Sequence, residues 1–200
     1  DALIGAASIA DIPRNGRVGS ASQRRQAQLL AVRPDLNVVL FRGNVATRID
    51  KIVAGEADVT LLALAGLKRL GRADAADAIL NTDEMLPSAG QGVIVIARCE
   101  GNEAAAQVLA PLNHAESLRC LLAERAMLDT LDGTCRTPIG GLAQMEGYLL
   151  RLNGLVAWPD GSNLVRHAAS GPPDDPEALG RAVGQVLRDR IGPDFFADHD

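Results

Sequence analysis

Between residues 16 and 71 the sequence alternates three times between a β-forming run and a helix-forming run, and this limits the fold more than any other feature. Gly16-Arg17-Val18-Gly19 reads as the end of a strand. Ser20 and Gln23 fit a capping box, with Ser20 as N-cap of a helix that reaches about Arg33 and stops at Pro34. Residues 36–41 read as a buried strand, Gly43-Asn44 breaks it, and Asn44 caps a helix through about Val53. Residues 59–64 form a third apolar strand, and residues 65–70 a short helix ended by Gly71. Strands alternating with helices predict a parallel-rich sheet with helices on its faces, here a periplasmic-binding-protein-like βαβ domain over residues 1–82.

The rest of the chain follows another pattern. Residues 83–101 are punctuated by Gly and Pro, then give a β-forming run at 93–97, which reads as a crossover that pairs with a sheet outside the first domain. Residues 102–200 predict a small α+β domain. A helix over 115–131 precedes a tight loop at 132–140, strands at 141–146, 148–157 and 163–170, and a helix near 176–190. Pro159-Asp160-Gly161 is the turn of a hairpin, so the three strands form an antiparallel sheet.

Composition excludes some functions. The 200 residues carry a net charge of −5 and only 2% aromatics, which argues against nucleic-acid binding through a basic face or base stacking. No apolar run reaches the roughly 18 residues needed to cross a bilayer. The three cysteines, Cys99, Cys120 and Cys135, have no disulfide or metal spacing, and His114, His167 and His199 are scattered. These features predict a cytoplasmic protein without a metal. The chain begins Asp1-Ala2-Leu3 without Met, which suggests a fragment.

Ligands of parallel α/β sheets sit beyond the carboxyl ends of the strands, where helix N-termini favour anions. Arg24, Arg25, Arg42 and Arg48 all fall near that edge. Cations near helix N-termini oppose the macrodipole by about 0.3–1 kcal/mol, a cost that a bound anion relieves. Guanidinium forks match carboxylates bidentately, so four of them suit a ligand with several carboxylates. The plainer alternative makes them surface charges paired with Asp35, Asp50 or Glu56. Cys99 and Cys120 read as buried small hydrophobes. Cys135 lies in a Gly/Thr/Pro loop beside Arg136, where it is either a lowered-pKa nucleophile or inert.

The residues at these positions also carry a resemblance. Val18-Gly19-Ser20-Ala21-Ser22-Gln23-Arg24-Arg25-Gln26, Arg33-Pro34-Asp35-Leu36 and Arg42-Gly43-Asn44-Val45-Ala46-Thr47-Arg48 are similar to segments of the porphobilinogen deaminase (hydroxymethylbilane synthase) family. So are Leu64-Ala65-Gly66-Leu67-Lys68-Arg69-Leu70, Leu86-Pro87-Ser88-Ala89-Gly90-Gln91-Gly92, Glu124-Arg125-Ala126-Met127 and the loop from Gly133 to Gly140. The resemblance implies a transferase of tetrapyrrole (heme) biosynthesis. It would join four porphobilinogen molecules, with loss of ammonia, into hydroxymethylbilane on a dipyrromethane cofactor held by a thioether. It implies Cys135 as the attachment point, Arg24, Arg25, Arg42 and Arg48 as holders of acetate and propionate groups, and Ser20 and Ser22 as hydroxyls of the same site. Ala65 and Gly66 would line the cofactor cleft. A monomer is implied as well.

The family's catalytic aspartate lies in an N-terminal segment that nothing in this chain matches, so the chain by itself is expected to be inactive. The competing expectation is a non-enzymatic anion-binding module of periplasmic-binding-protein type, which lacks a modified cysteine.

Overall fold

The computed structural model describes residues 1–134 and 136–197. Two sheets are joined by a long irregular segment, as the two sequence patterns predict. The first sheet has five strands in the order β3-β2-β4-β1-β5, made of β1 (Ala2–Ile4), β2 (Arg17–Ser20), β3 (Asn37–Leu40), β4 (Val59–Leu62) and β5 (Ala78–Ile79). The three central-to-edge strands β2, β3 and β4 run parallel, with Ser20 opposite Leu40 and Gly19 opposite Thr60. β1 is antiparallel to both β4 and β5, so the sheet is mixed beyond its parallel half. Neither β1 nor β5 stands out in the sequence, because strands of three and two residues show no periodicity.

Helices α1 (Gln23–Val32), α2 (Val45–Val53) and α3 (Leu64–Arg69) follow β2, β3 and β4 in turn. Asn44 caps α2 as expected, its side chain accepting from the Thr47 amide at 2.9 Å. The cap of α1 is Ser22 and not Ser20, its Oγ accepting from the Arg25 amide. Ser20 is the last residue of β2 and its Oγ accepts from the Ser22 amide at 3.1 Å. Two hydroxyls two residues apart both satisfy the capping pattern; the strand's extent decides between them. Leu3, Val18, Leu29, Val59 and Leu61 form the core between sheet and helices.

The second unit holds α5 (Ala115–Thr130), β6 (Ile139–Glu146), β7 (Leu149–Ala157), β8 (Leu164–Gly171) and α6 (Pro176–Ile191), preceded by α4 (Glu103–Leu109) and followed by α7 (Asp194–Ala197). β6, β7 and β8 are antiparallel in sequence order. Helices α5 and α6 cover one face and bury Met127, Leu131, Leu152, Val183 and Leu187. They approach closely because Gly180 and Gly184 lie on α6, where a Cβ would strike the α5 backbone at Ala123 and Met127.

Residues 93–97, expected as a strand that pairs with a sheet outside the first domain, have no ladder partner among the described residues, and Ile94 is 79% and Val95 72% exposed. β-forming side chains give a pleated strand only where a sheet edge receives them. Cys99, expected to be buried, is exposed at the end of this segment; Cys120 is half-buried on α5. Among the described residues no helix is long and apolar enough to cross a membrane.

The two units meet at α1. Ala27 of α1 packs with Leu86, Leu155 and Ala157. The Gln26 amide donates to the Pro159 carbonyl at 3.2 Å, and Gly141 N donates to Pro87 O at 2.8 Å. The hairpin turn at Gly161 lies flat on the α1 backbone.

Candidate functional site

The carboxyl ends of β2, β3 and β4 point the same way, and the turns that leave them carry every candidate side chain of the first unit. α1 starts immediately after β2, which places Arg24 and Arg25 in its first turn. Arg42 follows β3 by two residues and is exposed. Arg48 lies on α2, half-buried, its Nε donating to the Gly43 carbonyl at 3.1 Å. That bond brings the Arg48 head beside the turn that bears Arg42.

Arg24 and Arg25 are not surface charges. They are 5% and 8% exposed. Arg24 donates through Nη1 to the Leu86 carbonyl at 2.6 Å and through Nη2 to Gln91 Oε1 at 3.2 Å. Arg25 donates through Nη1 to the Leu61 carbonyl at 2.9 Å, at the end of β4. Both approach the carboxylate of Asp1, at 2.9 and 2.7 Å. The pairings considered for a plain surface role go elsewhere: Asp35 binds Arg33 and Glu56 binds Lys51.

The electrostatics follow from burial. Desolvation, with the adjacent Arg25 charge adding to it, pushes Arg24 down to about 9. Burial alone pushes Arg25 down to about 10. Arg48 is lowered by burial and then by the Arg25 charge, so Arg25 and Arg48 share one field. All three remain cationic at neutral pH, and each shift marks a charge that an incoming anion would stabilise.

Ala65 and Gly66 open α3 beside this cluster. A Cβ on Gly66 would meet only Val45 Cγ2, at 3.9 Å, so the space above it is free; Ala65 lies against Gly92. Small residues here leave room next to cations and hydroxyls, which is the donor set a multiply carboxylated, flat cofactor requires. A dipyrromethane fits these residues on that ground.

Cys135 lies outside the described residues. Its neighbours are fixed: the Thr134 amide donates to Thr137 Oγ1 at 3.0 Å and the Arg136 amide to Thr134 Oγ1 at 3.2 Å. Downstream, Gly140 sits against the carbonyls of Leu86 and Pro87, and the former carbonyl accepts from Arg24. The segment 86–91 therefore touches both the arginine pair and the strand that leaves the cysteine loop. Glu124 of α5 secures it, accepting from Gly90 N at 2.6 Å and Ala143 N at 2.8 Å.

Sequence reasoning missed Asp1, Gln28, Gln91 and Glu124, which hold the site without facing it. Gln28 grips Leu86 through both its amide groups. Gln91 and Glu124 stand inside segments singled out above, but a side chain's partner across tens of residues leaves no local pattern.

Fold and site together define a two-sheet α/β protein with arginines gathered where three parallel strands end. Comparison with known proteins gives the family. The family model for the porphobilinogen deaminase dipyromethane cofactor binding domain matches residues 1–107, and that for the porphobilinogen deaminase C-terminal domain matches residues 118–189. The chain is 47% identical over 191 residues to the porphobilinogen deaminase of Nitrobacter hamburgensis and 45% identical over 198 residues to that of Paracoccus denitrificans. These alignments cover 96% and 98% of the chain but 60% and 63% of the relatives' length. The chain belongs to the porphobilinogen deaminase family.

Proposed function

We propose that this chain supplies the cofactor-holding and carboxylate-binding part of a hydroxymethylbilane synthase, which joins four porphobilinogen molecules head to tail with release of ammonia. The observation that carries the reading is the convergence of Arg24, Arg25 and Arg48 in one field at the carboxyl ends of the parallel strands. A pyrrole with acetate and propionate arms presents the matching anions. When bound, the dipyrromethane supplies the nucleophilic pyrrole on which the chain grows.

In this reading the Cys135 sulfur would hold the cofactor as a thioether, in a loop whose flanks Thr134 and Thr137 brace. The arginines, with Ser20 and Ser22, hold carboxylate arms and leave the pyrrole faces uncovered. Ala65 and Gly66 line the cleft. No proton transfer is assigned to a residue of this chain; in the family it falls to an aspartate of the N-terminal segment. The segment 93–97, with Ile94 and Val95 exposed, would then pair with a sheet beyond residues 1–82. A cytoplasmic monomer fits the free Cys99 and Cys120. Membership of the family over both units does not favour a non-enzymatic module.

The test is turnover. A protein of the relatives' full length containing this chain should convert porphobilinogen to hydroxymethylbilane with one ammonia per pyrrole, and the 200-residue chain alone should not. Arg48→Gln should raise KM in the longer protein. Normal turnover by the chain alone, or none by the longer protein, would defeat the proposal.

A further inference from the structure

Asp1 is enclosed beneath the arginine pair, its side chain fully buried. β1 begins at the next residue and runs between β4 and β5, which carries the carboxylate under the start of α1. Oδ1 accepts from Arg25 Nε at 3.1 Å, Arg25 Nη2 at 2.7 Å and Gln91 Nε2 at 3.1 Å. Oδ2 lies 2.9 Å from Arg24 Nη1. Gln91 in turn accepts from Arg24, so one carboxylate touches both guanidiniums and the amide that steadies one of them. Among the described residues, no carboxylate lies within ion-pair distance of Arg42 or Arg48.

Two adjacent guanidiniums out of water repel with little screening, and without an anion between them one would turn to solvent. A single carboxylate prevents this and still leaves the pair with a net positive charge. Of the five N–H donors on each, three of Arg25 and two of Arg24 are hydrogen-bonded within the protein, Asp1 Oδ2 meeting Arg24 as an ion pair only, which leaves donors on each. We infer that Asp1 is a positioning residue: an internal counter-ion that fixes Arg24 and Arg25 so that their remaining donors meet one ligand carboxylate, while Arg42 and Arg48 meet the others. The inference rests on the proposed function only for the identity of the ligand.

The chain is compared with Asp1→Ala, which opens a hole, and Asp1→Asn, which keeps the shape without the charge. Thermal melting is followed in acetate and in acetamide, and porphobilinogen binding by calorimetry. Both variants should bind porphobilinogen at least about tenfold more weakly than the wild type. Acetate should raise the melting temperature and the affinity of Asp1→Ala towards those of the wild type at the same acetate concentration; acetamide should not, and neither should rescue Asp1→Asn.

Unchanged affinity in both variants, or equal rescue by acetamide, would overturn the inference. If Asp1→Ala does not fold, the affinity of Asp1→Asn decides. If the wild type does not bind porphobilinogen, the proposed function fails and the acetate dependence of melting still decides the role of Asp1.

Discussion

Replacing Gly161 with Ala should break the seam between the two units. Gly161 has φ +74°, a conformation that costs an L-residue roughly 1–2 kcal/mol. A Cβ there would lie 2.7 Å from Leu30 C and 2.8 Å from Ala27 O, and closer still to Ala31 N. These are backbone atoms of α1 and cannot swing aside as a side chain would. Overpacking of this kind adds about 1–3 kcal/mol, for a total of roughly 2–5 kcal/mol. Gly147, in the β6–β7 turn, has φ +63° and nothing within 4 Å of a built Cβ, so Gly147→Ala measures the conformational part alone. For a chain of this size about 1 kcal/mol shifts Tm by roughly 2–4 °C, so Gly161→Ala should melt some 2–12 °C below Gly147→Ala. Calorimetric melts of the two variants decide it. Equal shifts would show that the turn does not press on α1, and the account of how the units dock would be wrong.

Other perturbations test the supports of the site. Asn44→Ala removes the cap of α2 and should cost about 1 kcal/mol, seen as a lower urea midpoint. Glu124 has its pKa raised from 4.5 by burial, against the two amide bonds that lower it. A raised acid contributes stability that is complete below its unfolded pKa and lost as pH rises through its folded pKa. The wild type should therefore lose stability relative to Glu124→Gln as pH climbs from about 4.5 towards neutrality, in urea titrations at each pH. Arg42→Gln, at an exposed cation, should weaken porphobilinogen binding and reduce its dependence on salt, measured by calorimetry at two ionic strengths.

What the sequence disclosed follows from the range of the forces involved. The α2 cap was legible because Asn44 and its partner Thr47 are three residues apart. The arginine edge was legible because strand-to-helix order alone fixes which end of a parallel strand meets a helix N-terminus. The β-forming run at 93–97 was legible, but β propensity does not name a partner, and the described residues offer it none. Asp1 was invisible because its role depends on β1 lying between β4 and β5, a pairing across some sixty residues that leaves no local trace. Sequence placed the four arginines together but could not show that two are buried on an internal anion and two are not.

In the proposed function Cys135 carries a cofactor that the arginines hold. Intact mass, measured on a protein of the relatives' full length containing this chain and on its Cys135→Ser variant, tests it most directly. The wild-type mass should exceed that of the polypeptide by two porphobilinogen-derived pyrroles, and the variant should show the bare polypeptide mass. A bare mass for both, or an excess that survives the loss of Cys135, would contradict it.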